Sequence, residues 1–236
     1  MALCRLKIEV INWFKYDIGS SMELIESFVE GVEKQAEEST NRYRDQKETS
    51  VVEVFPEEHF ARVVETHQGL DNESWDIESL FTEYFPSLQR RSALLTVYSY
   101  FEHELDKLCL LYQSEKSFKL NLSDLNGKGV KRSINYLEKV AGIDTSKESE
   151  EWDHITKIQK IRNVIVHQSG KLNDRQGDPR KEVIDYINQM SSLGGNTEII
   201  LHKGFLDHVV STFKNYFRLL GKSIEESEGS NLPLTE

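Results

Sequence analysis

Ile161-Arg162-Asn163-Val164-Ile165-Val166-His167-Gln168-Ser169-Gly170 sets the strongest constraint on what this chain builds. It closes a helical run beginning near Glu151, in which Ile155, Ile158 and Ile165 recur at helical spacing. Arg162 falls on that apolar stripe, where an unselected helix would carry Leu or Ile. His167 follows in the last turn, and Gly170 is a residue type that ends helices in a left-handed conformation. A charge in an apolar stripe and a titratable ring at the helix end both need a reason.

Helix geometry sharpens the question. Asn163 and His167 are four residues apart, so their side chains can touch. Arg162 and His167 are five apart, roughly 140° around an ideal helix, so one straight helix does not aim both at a single ligand. Either the last turn loosens before Gly170, or a second copy completes the site. A helix C-terminus also favours a protonated imidazole. The guanidinium fork of Arg162 suits a phosphate, and an imidazole suits proton transfer near neutral pH. The plainer alternatives are a core-edge Arg162 paired with Glu102, a capping His167 and a surface Asn163.

The wider sequence limits what the chain can be. Apolar residues make up 38% of 236, enough for a core while leaving much of the chain to face water. Four prolines and thirteen glycines suit long helices. Cys4 and Cys109 lie far apart, which argues against a disulfide framework or a zinc site and fits a reducing compartment. His59, His67, His103, His154, His202 and His208 show no metal-ligand spacing, so no metal and no cofactor is expected. No GxSxG elbow is present, and Cys109 sits on a core-type helix, so neither serine nor cysteine reads as a nucleophile. No apolar run approaches the roughly 18 residues of a membrane span, which points to a cytoplasmic protein with no membrane partner.

Net charge is −11, unevenly spread. Residues 1–90 hold 9 Lys+Arg against 19 Asp+Glu, and residues 91–220 hold 19 against 17. Residues 154–182, around the motif, carry 7 basic and 3 acidic side chains. The acid therefore lies mostly in the N-terminal part, while the motif region is locally basic.

Along the chain, residues 3–14 alternate weakly and suggest a short strand or packed extension. Ser20 and Glu23 form a capping-box pattern opening a helix from Ser21 to about Asp45, with Leu24, Phe28 and Val32 as its apolar positions. Beyond Val32 that helix is nearly all polar. Pro56 opens a further short helix to about Thr66, and Asp76 or Ser74 caps one before Pro86. The strongest helix runs from Ser87 to Ser114, where Leu94, Tyr98, Phe101, Leu105, Leu108 and Tyr112 form the seam of a bundle helix. Glu102 lies at the edge of that seam. Asn126-Gly127-Lys128-Gly129 fails the phosphate-loop pattern and reads as a turn. The motif helix spans about Lys147–Ser169, a polar loop covers Lys171–Pro179, and the last helix is about 204–223. The tail from Glu225 onward reads as disordered.

Arg162-Asn163-Val164-Ile165-Val166-His167, at the end of an apolar helix, resembles the R-x4–6-H motif of HEPN domains. The helix around Ser92–Leu105, with its acidic Glu102, is similar to that family's first core helix, and the resemblance covers roughly residues 85–220. It implies an all-α fold, a HEPN-like bundle of four or more helices over 86–223, with an acidic helical region over 1–85 and a tail over 224–236. It also implies a metal-independent endoribonuclease, a bacterial toxin or anti-phage effector that cleaves RNA by 2′-OH attack. In that chemistry His167 serves as general base or acid, Arg162 stabilises the phosphorane, Asn163 assists and Glu102 supports. The partners implied are RNA, a second copy in a homodimer, and a cognate antitoxin or defence protein. Some HEPN toxins carry a tyrosine two residues past the histidine that partner enzymes modify; Ser169 stands there, against that form of control. The alternative is a non-catalytic binding or scaffold protein of the same fold, with its acidic N-terminal part facing a basic partner.

Overall fold

Leu94, Tyr98, Phe101, Leu105, Leu108 and Tyr112 all end up buried, on a helix that runs from Phe85 to Lys116. The structure is a computed structural model that describes residues 18–56 and 60–230. The expected strand over residues 3–14 lies outside the described residues. In chain order the elements are helix α1 (Gly19–Gln46), strands β1 (Glu48–Phe55), β2 (Phe60–His67) and β3 (Leu70–Asp71), helices α2 (Phe85–Lys116), α3 (Val130–Lys139), α4 (Glu150–Gln168) and α5 (Lys181–Gln189), the short strands β4 (Leu193–Gly194) and β5 (Ile200–Leu201), and helix α6 (Phe205–Ser230). The fold is mostly helical with small antiparallel sheets. Among the described residues no helix is long and apolar enough to cross a membrane.

The described residues form two compact units. One takes residues up to Phe28, then Leu94–Asn163, then Leu206 onward; the other takes Val29–Ala93 and Val164–Phe205. The units interleave along the chain.

The first unit is built on aromatic packing between α2 and α6. Phe101 stacks on Phe213 with centroids 4.1 Å apart, and Tyr98 and Phe217 close on that pair edge-on at 5.9 and 5.1 Å. Trp152 of α4 meets Tyr216 of α6 at 5.6 Å, and the Tyr216 hydroxyl donates to the Thr145 carbonyl at 2.8 Å. Helix α3 docks on α2 through Asp106, which accepts from Ser133 and, at 3.1 Å, from Arg132. Helix α6 continues to Ser230 because Ile224 extends its buried stripe, so the tail expected to be disordered from Glu225 is helical over its first residues.

The second unit corrects the reading of residues 56–66. Within that span the described residues 60–66 are strand, not helix: β1 and β2 pair antiparallel, with Val52 as a bulge between Val51 and Glu53. Val51, Val52, Val54, Phe60, Val63 and Val64 are β-branched or aromatic, and such residues fit a pleated strand better than a helix. Gln68 and Gly69, with φ of 49° and 81°, make the two-residue turn into β3. At its base the hairpin is anchored by His67, which lies edge-on to Phe81 at 4.7 Å and to Tyr43 at 5.3 Å.

Asp76 caps the next turn, as expected, by accepting from the Ser79 N–H. Pro86 does not break the chain direction. The backbone widens to a π-helical stretch over Leu80–Tyr84 and then runs into α2. Proline removes one helical hydrogen bond and crowds the carbonyl four residues back, and the widened turn absorbs both.

Helix α1 starts at Gly19, so Ser20 lies inside it, and its buried face differs from the expected one. Leu24 is 65% exposed and Phe28 is exposed too, whereas Met22, Ile25, Val29, Ala36 and Tyr43 are buried. The second half also packs: Glu33 is buried in a salt bridge with Arg90, and Thr40 donates to the Phe81 carbonyl. The loop over Lys171–Pro179 is ordered as a tight turn, with Asp174 Oδ1 accepting from the N–H groups of Gln176 and Asp178.

Candidate functional site

Helix α4 carries Arg162, Asn163 and His167. Its core line is Ile155, Ile158, Ile161 and Val164, all buried. Arg162 is therefore beside the apolar line and half-buried, not a substitute for a core residue. Acidic residues Glu150, Glu151 and Asp153 fill the first turn, where they complement the helix dipole.

In the first unit, the Arg162 guanidinium lies 5.7 Å from the centre of the buried Tyr98 ring, within cation–π range. Nη1 donates to Asn163 Oδ1 at 3.1 Å, so the amide of Asn163 holds the arginine. Arg162 Nε is shielded from solvent with no hydrogen-bond partner among the described residues. No carboxylate makes an ion pair with Arg162 among the described residues.

Glu102 is on α2, half-buried, where its carboxylate accepts the Val130 N–H. It presses against Gly129, which has φ 58° and no room for a Cβ on the side the carboxylate occupies. Burial holds the Glu102 carboxyl above its ordinary range, and the nearby Arg162 charge offsets this only in part. Arg162 thus rests on an aromatic face and feels Glu102 through charge alone. Direct pairing of the two, an alternative the sequence left open, is not formed.

The Glu102 shift fixes the sign of a pH effect. An acid whose folded-state pKa is raised contributes stability below its unfolded value, here 4.5, and loses that contribution as pH rises through the folded value. Glu102→Gln keeps an acceptor for Val130 and removes the charge. It should be more stable than wild type at pH 7, with the difference shrinking towards zero below pH 4.5. Denaturant melts at several pH values measure this; a variant less stable than wild type at pH 7 would contradict it.

In the second unit, His167 is exposed on the last turn of α4. Ser169 and Gly170 follow in the left-handed region, with φ of 53° and 83°, and the Gly170 N–H donates to the Val164 carbonyl at 3.1 Å. The residue that fixes this end was not foreseen. Arg91, buried on α2, donates to the Ser169 carbonyl at 3.3 Å, to Glu198 at 3.0 Å and to the Ile199 carbonyl. Its guanidinium carbon lies 3.1 Å from where a Cβ on residue 170 would sit, which adds crowding to a left-handed backbone that already favours glycine there. The signal in the sequence was Arg90-Arg91, two adjacent arginines at the head of an apolar seam.

Compared with protein-family models, curated proteins and solved structures, the chain matches none. Arg162 offers planar N–H donors with no ion-paired acid among the described residues, and His167 offers a solvent-accessible imidazole.

Proposed function

We propose that the protein is a metal-independent endoribonuclease of HEPN type. The observation that carries this reading is the state of Arg162: a half-buried guanidinium on an aromatic face with no ion-paired acid among the described residues. A cation partly withdrawn from water and not neutralised is well suited to an anion, and its fork matches phosphate oxygens. The contacts among α2, α4 and α6 within the first unit, with Phe101 on Phe213 and Trp152 on Tyr216, support a HEPN-like bundle.

In this reaction the ribose 2′-oxygen attacks the adjacent phosphorus and the 5′-oxygen of the next nucleotide leaves, giving a 2′,3′-cyclic phosphate and a 5′-hydroxyl. His167 takes the 2′-OH proton or supplies one to the leaving oxygen. Arg162 stabilises the charge on the phosphorane, Asn163 holds the guanidinium, and Glu102 shapes its field without touching substrate. The protein acts as a homodimer in the cytoplasm, as a toxin or anti-phage effector under an antitoxin or defence partner.

Purified protein should cleave single-stranded RNA in EDTA and leave 2′,3′-cyclic phosphate ends, whereas a 2′-deoxyribose at the scissile position should block cleavage. Activity that requires added Mg²⁺ or Mn²⁺ contradicts the mechanism. The competing reading is a binding protein in which Arg162 only joins α4 to α2, which its seat on Tyr98 also serves. Intact RNA in the same assay favours that reading.

A further inference from the structure

Among the described residues Arg162 is held without an ion-paired acid, and its seat is the Tyr98 ring. That ring is buried in the core of the first unit, packed against Phe101 and Phe213 with centroids 6.4 and 5.9 Å away. Ile158 and Ile161, both buried, fix the backbone of α4 just before the arginine. The Nη1 bond to Asn163 Oδ1, at 3.1 Å, gives the guanidinium a second point of attachment.

The kind of seat has a chemical consequence. A carboxylate there would hold the guanidinium firmly but would cancel its charge. An aromatic face attracts a cation through its quadrupole and carries no net charge. Burial, with the Glu102 charge adding to it, pushes the Tyr98 hydroxyl well above its ordinary range, so the side chain stays neutral at pH 7. A contact that only joins two helices gains nothing from leaving the charge uncancelled, whereas an anion-binding arginine depends on it.

We propose that Tyr98 is a positioning residue for RNA cleavage: its ring face sets the plane of the Arg162 guanidinium before a phosphate arrives. Arg162 Nε is shielded and Nη1 already donates to Asn163, so the N–H groups left to an anion are those at the outer, Nη end. Donors fixed in place cost no reorganisation as charge develops, and a misplacement of about 1 Å can cost roughly 10²-fold in rate. The ring face matters for this and the hydroxyl does not. The role in cleavage rests on the ribonuclease reading; the fixed guanidinium does not.

The test compares wild type, Tyr98→Phe and Tyr98→Leu in single-turnover cleavage of RNA in EDTA, with RNA affinity measured separately. Tyr98→Phe keeps the face and should cleave within about twofold of wild type, whereas Tyr98→Leu should be slower by about 10–10²-fold. Affinity for RNA should change by less than about threefold in both, a split that general loosening of the fold would not give. A Leu variant as fast as wild type, or a Phe variant as slow as the Leu variant, overturns the positioning role alone. RNA left intact by wild type overturns the ribonuclease reading and this role together. Tyr98 is a core residue, so circular dichroism checks the folding of Tyr98→Leu, and a measurement on wild type stands beside it. In NMR of isotope-labelled arginine, with Arg162→Lys identifying the signal, the Arg162 Nε–H should be shifted upfield by the ring. It should also exchange with water at least about tenfold more slowly than that of the exposed Arg42. An Arg162 signal like that of Arg42 shows a free guanidinium and overturns the proposal whatever the variants do.

Discussion

Alanine at position 167 should give a folded protein whose cleavage of RNA in EDTA is slower by about 10²–10⁴-fold, the usual contribution of a general acid or base. His167 is exposed, so its loss should move stability by no more than about 0.5 kcal/mol. Activity and folding therefore separate cleanly here. Arg162→Ala does not separate them, because it also removes the stacking on Tyr98, worth roughly 0.5–2 kcal/mol. The pair also tests whether two copies share one site. If each chain holds a complete site, a mixture of Arg162→Ala and His167→Ala proteins stays inactive. If the site is shared, mixed dimers keep one Arg162 and one His167 and recover part of the rate. A His167→Ala protein as active as wild type removes His167 from the reaction.

Arg90→Met should destabilise the fold by about 3–5 kcal/mol, the cost of leaving a buried charge without its partner. Arg90 and Glu33 are only 8% and 7% exposed. Arg90 Nε bonds both Glu33 oxygens at 3.0 Å, Nη2 bonds Oε2 at 2.8 Å, and Nη1 reaches the Leu201 carbonyl at 3.3 Å. The single substitution strips Glu33 of its counter-charge in a place water does not reach. The double variant Glu33→Leu/Arg90→Met removes both charges and should recover most of the loss. About 1 kcal/mol should remain for the bond to Leu201. Equilibrium urea denaturation of the three proteins measures these differences. A single variant within about 1 kcal/mol of wild type would show that Glu33 is solvated or neutral, against its position in the fold.

These two sites differ in how far the sequence disclosed them. The α2 seam was legible because six large apolar residues at helical spacing have one reading, and Leu206, Val210, Phe213, Phe217 and Leu220 of α6 disclosed themselves in the same way. The α1 face was misread because its core line passes through Glu33 and Ala36. A paired carboxylate and a methyl group do not register as apolar, while Leu24 and Phe28 do and yet face solvent. The hairpin is hard to read from the sequence because Pro56 suggests a helix start, although the β-branched residues flanking it fit strands. Arg162, Asn163, His167 and Glu102 were each placed on the right element. What the sequence could not settle was the partner of Arg162. A ring and a carboxylate on the same helix, Tyr98 and Glu102, were both in reach, and burial of the carboxyl disfavours its charge.

The interleaving of the two units bears on how the chain is made. Phe101 stacks on Phe213, and a ribosome adding roughly 5–20 residues per second reaches the second ring on the order of ten seconds after the first. The second unit is complete only at Phe205, and the first only beyond it. Nascent chains therefore carry an uncovered aromatic ring from the synthesis of Phe101 until Phe213 emerges, and the second unit closes before the first. Chaperone depletion should lower the yield of this protein more than that of one whose units finish in chain order.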